Sequence, residues 1–214
     1  MDVEHKEVID FTQLKKTLDE RGMKSKFVAD KLGIIPTNFS KFCRNAKFPL
    51  TDVIAQIAWT LKVPVSKIVS FTLTCDEKKK KWFEGKYLPY LPPDNAQGVL
   101  TYQPLWNFMD MYLDYLYQTT GKEKTANDVF DLIEPYRRRN HIKSGTDQDI
   151  SKLSVEKRFG ENYEAKTKKR KYVAKGLTPE VRTKLRNDRP LNIRTIYDIC
   201  NFLGCPVDWV VSYK

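Results

Sequence analysis

Ser25-Lys26-Phe27-Val28-Ala29-Asp30-Lys31-Leu32-Gly33-Ile34-Ile35-Pro36-Thr37-Asn38-Phe39-Ser40-Lys41-Phe42-Cys43-Arg44 is the stretch on which the fold turns. Its apolar spacing predicts a helix from about Ser25 to Leu32, with Phe27, Val28 and Leu32 as its apolar residues. Gly33 follows at once, and glycine takes the positive φ that a tight reversal needs. A second helix is predicted from about Pro36 to Arg44. Proline is tolerated at a first helical position because that N–H would have no intrahelical partner anyway. Ile35, Phe39 and Phe42 then fall inward, and Thr37, Lys41 and Arg44, at helical spacing, fall outward.

The flanks read as helices too. Phe11, Leu14 and Leu18 recur at helical spacing before Gly22. Leu50-Thr51-Asp52 opens a helix with Val53, Ile54, Ile57, Ala58 and Leu61 inward, and Pro64 opens a fifth, short one carrying Ile68 and Val69.

Val28-Ala29-Asp30-Lys31-Leu32-Gly33-Ile34, Ser40-Lys41, Pro49, Ile57-Ala58 and Leu61-Lys62-Val63-Pro64 together resemble the five-helix Cro/CI-like (XRE-type) helix-turn-helix domain over residues 9–72. The resemblance implies that the third helix enters the major groove. Pro36, Thr37, Asn38 and Lys41 would then read bases, while Ser25, Ser40 and Arg44 would contact phosphates, Asn38 and Ser40 flanking the face and suited to either role. Two positions depart from the family pattern. Cys43 stands where a glutamate is common, and Asn45 stands where a glycine usually ends the helix.

A second copy is written at the C-terminus. Val63-Pro64-Val65-Ser66-Lys67-Ile68-Val69-Ser70-Phe71 is echoed 142 positions later by Cys205-Pro206-Val207-Asp208-Trp209-Val210-Val211-Ser212-Tyr213. At the same offset Ile54, Ile57, Ala58 and Leu61 meet Ile196, Ile199, Cys200 and Leu203. Leu177 to Asn187 matches Ile34 to Arg44 within one residue of that offset, with Thr178 as N-cap and Pro179 at the first helical position. By this match Glu180, Thr183 and Lys184 would face bases, and Arg186, Asn187 and Arg189 phosphates. Glu180 would accept from a cytosine amine, or simply favour the helix N-terminus. Two predicted helices, Leu105 to Thr120 and about Thr125 to Glu134, fit helices 1 and 2 of a unit interrupted by a basic insertion at 135–175. The rival arrangement is an independent middle domain, suited to dimerisation, followed by a half-motif.

The predicted class is all-α, with an N-terminal helix-turn-helix domain (1–75), a linker (76–103) and a second helical domain (104–214) carrying the interrupted or degenerate repeat at about 176–213. In the linker, four lysines precede Trp82 and Phe83, which would stack on nucleic acid or dock on a neighbouring domain.

Of the 214 residues, 38 are Lys or Arg and 27 Asp or Glu, a net charge of +11. Residues 135–189 hold 17 of the basic and 7 of the acidic ones, so +10 of the total lies there and +1 elsewhere. Arg137, Arg138 and Arg139, with Lys168, Lys169, Arg170 and Lys171, are the densest runs and the natural phosphate contacts. Such a balance points to a polyanion.

No phosphate-binding glycine loop, zinc-protease helix or serine-hydrolase elbow occurs, and the two histidines, His5 and His141, have no convergent partners. No catalytic, metal or cofactor role is expected. The four cysteines lack zinc spacing and read as reduced thiols, which with the absence of a signal-like start or an apolar span gives a cytoplasmic expectation: bacterial cytosol or nucleoid, with a phage-encoded origin open. The expected partner is double-stranded DNA and the expected role a transcription regulator, most simply a repressor. A homodimer stays open. The competing expectation is an interaction protein of the same fold that binds RNA or a nucleoprotein complex.

Overall fold

A computed structural model describes residues 8–74, 83, 85, 90–133 and 176–214. The described chain is mostly helical and passes twice through one order of elements. The first pass is β1 (Ile9–Asp10), α1 (Thr12–Glu20), α2 (Ser25–Lys31), α3 (Pro36–Cys43), α4 (Thr51–Leu61), a 3-10 turn at Val65–Lys67 and β2 (Ser70–Phe71). The second is β3 (Leu100–Thr101), α5 (Gln103–Thr120), α6 (Ala126–Leu132), α7 (Pro179–Arg186), α8 (Ile193–Leu203), a 3-10 turn at Val207–Trp209 and β4 (Ser212–Tyr213).

Each pass closes on itself by a two-residue antiparallel ladder, Ile9 opposite Phe71 and Leu100 opposite Tyr213. These ladders are absent from the all-α expectation, because two-residue strands carry no readable alternation. The expected fifth helix is likewise a single 3-10 turn that feeds the closing strand. The second pass starts at Leu100, inside the stretch read as linker, and Gln97 already donates to the carbonyl of Lys214.

The repeat is sharpest in its hydrogen bonds. Asn45 has φ 55° and Asp188 φ 49°, and each follows the third helix of its unit. Asn45 Oδ1 accepts from Phe11 N at 2.7 Å, and Asp188 Oδ1 accepts from Tyr102 N at 2.7 Å. Phe11 and Tyr102 are the N-cap residues of α1 and α5. A left-handed residue after helix 3 therefore caps the start of helix 1 in both units. Next along each chain, Ala46 N reaches Lys41 O and Arg189 N reaches Lys184 O. Helix 4 ends alike in both, on a left-handed residue, Lys62 or Gly204.

In the first unit Ile34 N donates to Ala29 O at 2.9 Å across the turn between α2 and α3. In the second, Leu177 N donates to Phe130 O, also at 2.9 Å. Five residues separate the first pair and 47 the second, so residues 134–175 enter in the turn itself. Gly176 makes the return. Its φ is 86°, and a Cβ there would lie 2.6 Å from Asp131 Cα and from Phe130 O, so only glycine fits.

Residues 105–133 pack on 177–211, as one interrupted unit requires. Phe108 meets Trp209 at 5.2 Å, Arg186 donates to Asn127 Oδ1, and Arg182 pairs with Asp131. The buried residues of both units form one continuous core, including Cys200 and Cys205. Phe83 is fully buried against Phe108 and Tyr112 of α5, which is the docked arrangement; Trp82 lies outside the described residues.

One inward assignment fails. Ile35 is 63% exposed, because it is the non-helical N-cap of α3 (φ −56°, ψ 124°) and the helical wheel does not extend to it. Phe27 is 58% exposed, since α2 buries Val28 and Ala29 and the residue before them rotates off that face. Leu132 of α6 is exposed similarly.

Asp188→Ala, which strands a buried N–H, should cost about 1–3 kcal/mol in a denaturant melt. Asp188→Asn retains an acceptor and loses only the partly exposed pair with Lys214, so it should cost about 0–1 kcal/mol. Asn45→Asp should destabilise more at neutral pH than in acid, because Asn45 Nδ2 now donates to Asp10 Oδ1. Asp10, although part-buried, is held below the usual carboxylate range by hydrogen bonds from Asn45 and Thr12.

Candidate nucleic-acid interface

The outer face of the first unit is built from α2, the Gly33 turn and α3. Pro36, Thr37, Lys41 and Arg44 are exposed together along α3, as is Ser25 at the start of α2, while Asn38 and Ser40 are half-buried beside them. Phe39 and Phe42 hold α3 to the core from its opposite side. Thr37 and Lys41 have no side-chain hydrogen bond or ion pair among the described residues, and Arg44 Nε donates to the Ser40 carbonyl.

Lys24, Lys26, Lys31 and Lys47, outside the set that the resemblance implies, are exposed around these residues. Residues 24–47 carry six Lys or Arg and one Asp, so this face bears +5 although the charge of the chain outside 135–189 nearly cancels. The averaging over many residues hid it. Cys43 is half-buried, and burial pushes its thiol up.

The matching face of the second unit is satisfied from within. Glu180 and Lys184 form an ion pair at 2.7 Å, and the hydrogen bond and charge of Lys184 hold the Glu180 carboxyl below its usual range. Thr183 Oγ1 donates to the Pro179 carbonyl at 2.9 Å. Arg186 reaches Asn127, Arg182 reaches Asp131 and the Leu177 carbonyl, and Asp188 takes the Lys214 ammonium at 2.8 Å. Asn187 and Arg189 are exposed. Arg137, Arg138, Arg139, Lys168, Lys169, Arg170 and Lys171 lie outside the described residues.

The two faces are set by how the units meet. Leu50 forms an antiparallel bridge with Asn192, 142 positions on, and Ser66 N donates at 2.8 Å to Asp208 Oδ1, again 142 positions on. An antiparallel bridge between equivalent residues, with a second contact between equivalents, is the pattern of an approximate local dyad relating the units. Thr51 secures it: its N–H donates to Leu191 O, its Oγ1 accepts from Leu191 N, and it hydrogen-bonds the Tyr102 hydroxyl at 2.8 Å.

No protein-family model, curated protein or solved structure matches this chain.

Among the described residues no group of three or more His, Cys, Asp or Glu side chains is placed to hold a metal ion, and no helix is long and apolar enough to cross a membrane. A shallow concavity of about 300 Å³ lies beside the dyad, lined by Lys62, Val65, Leu91, Asp208 and Tyr213 among others.

Burial raises the Asp208 carboxyl above its ordinary value, against the hydrogen bonds from Ser66 and Val65 that favour its charge. A carboxyl raised on folding stabilises most when protonated, so this contribution is full below the unfolded value of about 4 and is lost as pH rises through the folded one. Asp208→Asn keeps the acceptor for Ser66 N without the charge. Thermal melts should therefore show the variant gaining on the wild type between acid and neutral pH. A constant difference across that range would mean that Asp208 does not titrate with folding.

Proposed function

We propose that this chain is a sequence-specific double-stranded DNA-binding protein of the Cro/CI-like helix-turn-helix type, acting as a transcription regulator. The observation that carries this reading is the first unit's outer face: a short helix held from behind by two phenylalanines, its Thr37 and Lys41 free, inside a field of +5. A helix presented this way fits the major groove of B-form DNA. Lysines and arginines around it match phosphates on either side, each neutralised phosphate adding close to one unit to the salt dependence of binding.

The local dyad supports a duplex partner as well. α3 and α7 are joined to the dyad by residues 44–49 and 187–191, so chain length alone keeps their C-terminal ends within roughly 25 Å of it. That reach accommodates two major-groove faces one helical turn, about 34 Å, apart on one side of a duplex. A single chain would then supply the pairing that a symmetric dimer supplies elsewhere, and would bind with a stoichiometry of one chain per site.

The test is competition against a duplex enriched from a random pool. Thr37→Ala and Lys41→Ala should each reduce the preference for that duplex over random DNA by about tenfold, with melting temperatures unchanged because both side chains are exposed. If RNA of equal length competes as well as the enriched duplex, and neither substitution matters, the DNA reading fails in favour of an RNA-binding or nucleoprotein-binding role.

A further inference from the structure

Resting on the proposed DNA-binding role, the two units can be compared position by position. At the N-cap of helix 2, the first unit has Lys24 with no side-chain cap, whereas the second has Thr125 in a capping box with Asp128. At the N-cap of helix 3, the first has Ile35 with no cap, whereas the second has Thr178, whose hydroxyl accepts from Val181 N. Phe27 aligns with Asp128 of that box through the equivalence of Ala29 and Phe130. The first unit therefore forgoes good capping residues at two helix starts and exposes two large apolar side chains there instead. Uncapped helix starts cost stability, and no side chain caps either of these two among the described residues.

The outward polar groups divide the same way. Thr37 and Lys41 are free, while their counterparts Glu180 and Lys184 bind each other, and Thr183 is turned back to Pro179. Base edges offer hydrogen-bonding groups and, on thymine alone, a methyl group. The first unit presents partners for both kinds. The second ties Glu180, Thr183 and Lys184 into its own bonds and leaves Asn187 and Arg189 exposed at the end of its helix 3.

We infer that base reading is confined to the N-terminal unit, and that Ile35, beside Thr37 and Lys41, supplies an apolar contact to a thymine methyl within the recognised sequence. The positive field around Ile35 favours a duplex over an apolar protein surface as the occupant, since five of the flanking cations, Lys24, Lys26, Lys41, Arg44 and Lys47, would otherwise need carboxylate partners. The C-terminal unit then orients the first across the dyad, without specifying bases.

Enrichment from a random duplex pool with the wild type should yield one specified block, with no inverted second block. Replacing a thymine in that block by deoxyuridine removes only the methyl group. At one thymine this should weaken wild-type binding about fourfold, the worth of one buried methyl-sized group, and should leave Ile35→Ser unaffected. Ile35→Ser should melt no lower than the wild type, because serine is a good N-cap where isoleucine is a poor one. The double variant Glu180→Ala, Lys184→Ala should enrich the same block as the wild type. Two inverted blocks, a changed block in the double variant, or indifference of the wild type to every deoxyuridine would overturn the inference while leaving DNA recognition standing. Failure to enrich any duplex would sink the inference together with the DNA-binding reading.

Discussion

Each half of the molecule depends on one hydrogen bond, from the N–H at the start of its first helix to a side-chain oxygen on a left-handed residue after its third. The donors, on Phe11 and Tyr102, belong to fully buried residues, so an unpaired N–H there would carry its full desolvation penalty. The acceptors, Asn45 and Asp188, must hold a positive φ to aim the oxygen, a conformation that Asn and Asp tolerate better than other residues with a Cβ. The bond joins the end of helix 3 to the beginning of helix 1, and the terminal strands close beside it. Helix 3 is thereby fixed at both ends, by the turn before it and the cap after it. Its outer face can stay free of structural duty for that reason.

Most of this frame could be read from residues. Gly33, Pro36 and the Phe39/Phe42 pair locate helix 3, and the offset of 142 locates its C-terminal counterpart, because helix starts, stops and apolar spacing are local properties. The dyad could not be read, although it is built from the same repeat. Leu50 with Asn192 and Ser66 with Asp208 are contacts between distant equivalents, and no local pattern distinguishes residues on an axis from those beside it. Ile35 was misplaced for a related reason: apolar spacing assumes that an apolar residue seeks the core. Its position at an N-cap, where a small polar residue is expected, was the available sign that it does something else.

The outward face was legible in part. Thr37, Lys41 and Arg44 follow from helical geometry alone, but whether Glu180, Thr183 and Lys184 are equally free is a matter of side-chain pairing. A glutamate four residues before a lysine on a helix is a favourable pair, so the ion pair was written in the sequence. It competed there with a second legitimate meaning, acceptance from a base.

The location of residues 134–175 bears on how the two halves diverged in role. A turn closed by Leu177 N on Phe130 O has the geometry of the turn closed by Ile34 N on Ala29 O, and the cost of closing a loop grows only logarithmically with its length. Forty-two extra residues at that point are thus compatible with the same helix packing. They are less compatible with the same use of it. The turn between helices 2 and 3 borders the surface that a duplex would occupy, and a net charge of +7 enters the chain there in the second unit alone. An insertion of that charge favours phosphates of any sequence over particular base edges. Glu180 with Lys184, and Arg186 with Asn127, point the same way from independent residues: Thr37 and Lys41 in one half stay unpaired among the described residues, while their counterparts in the other are bonded to neighbouring side chains.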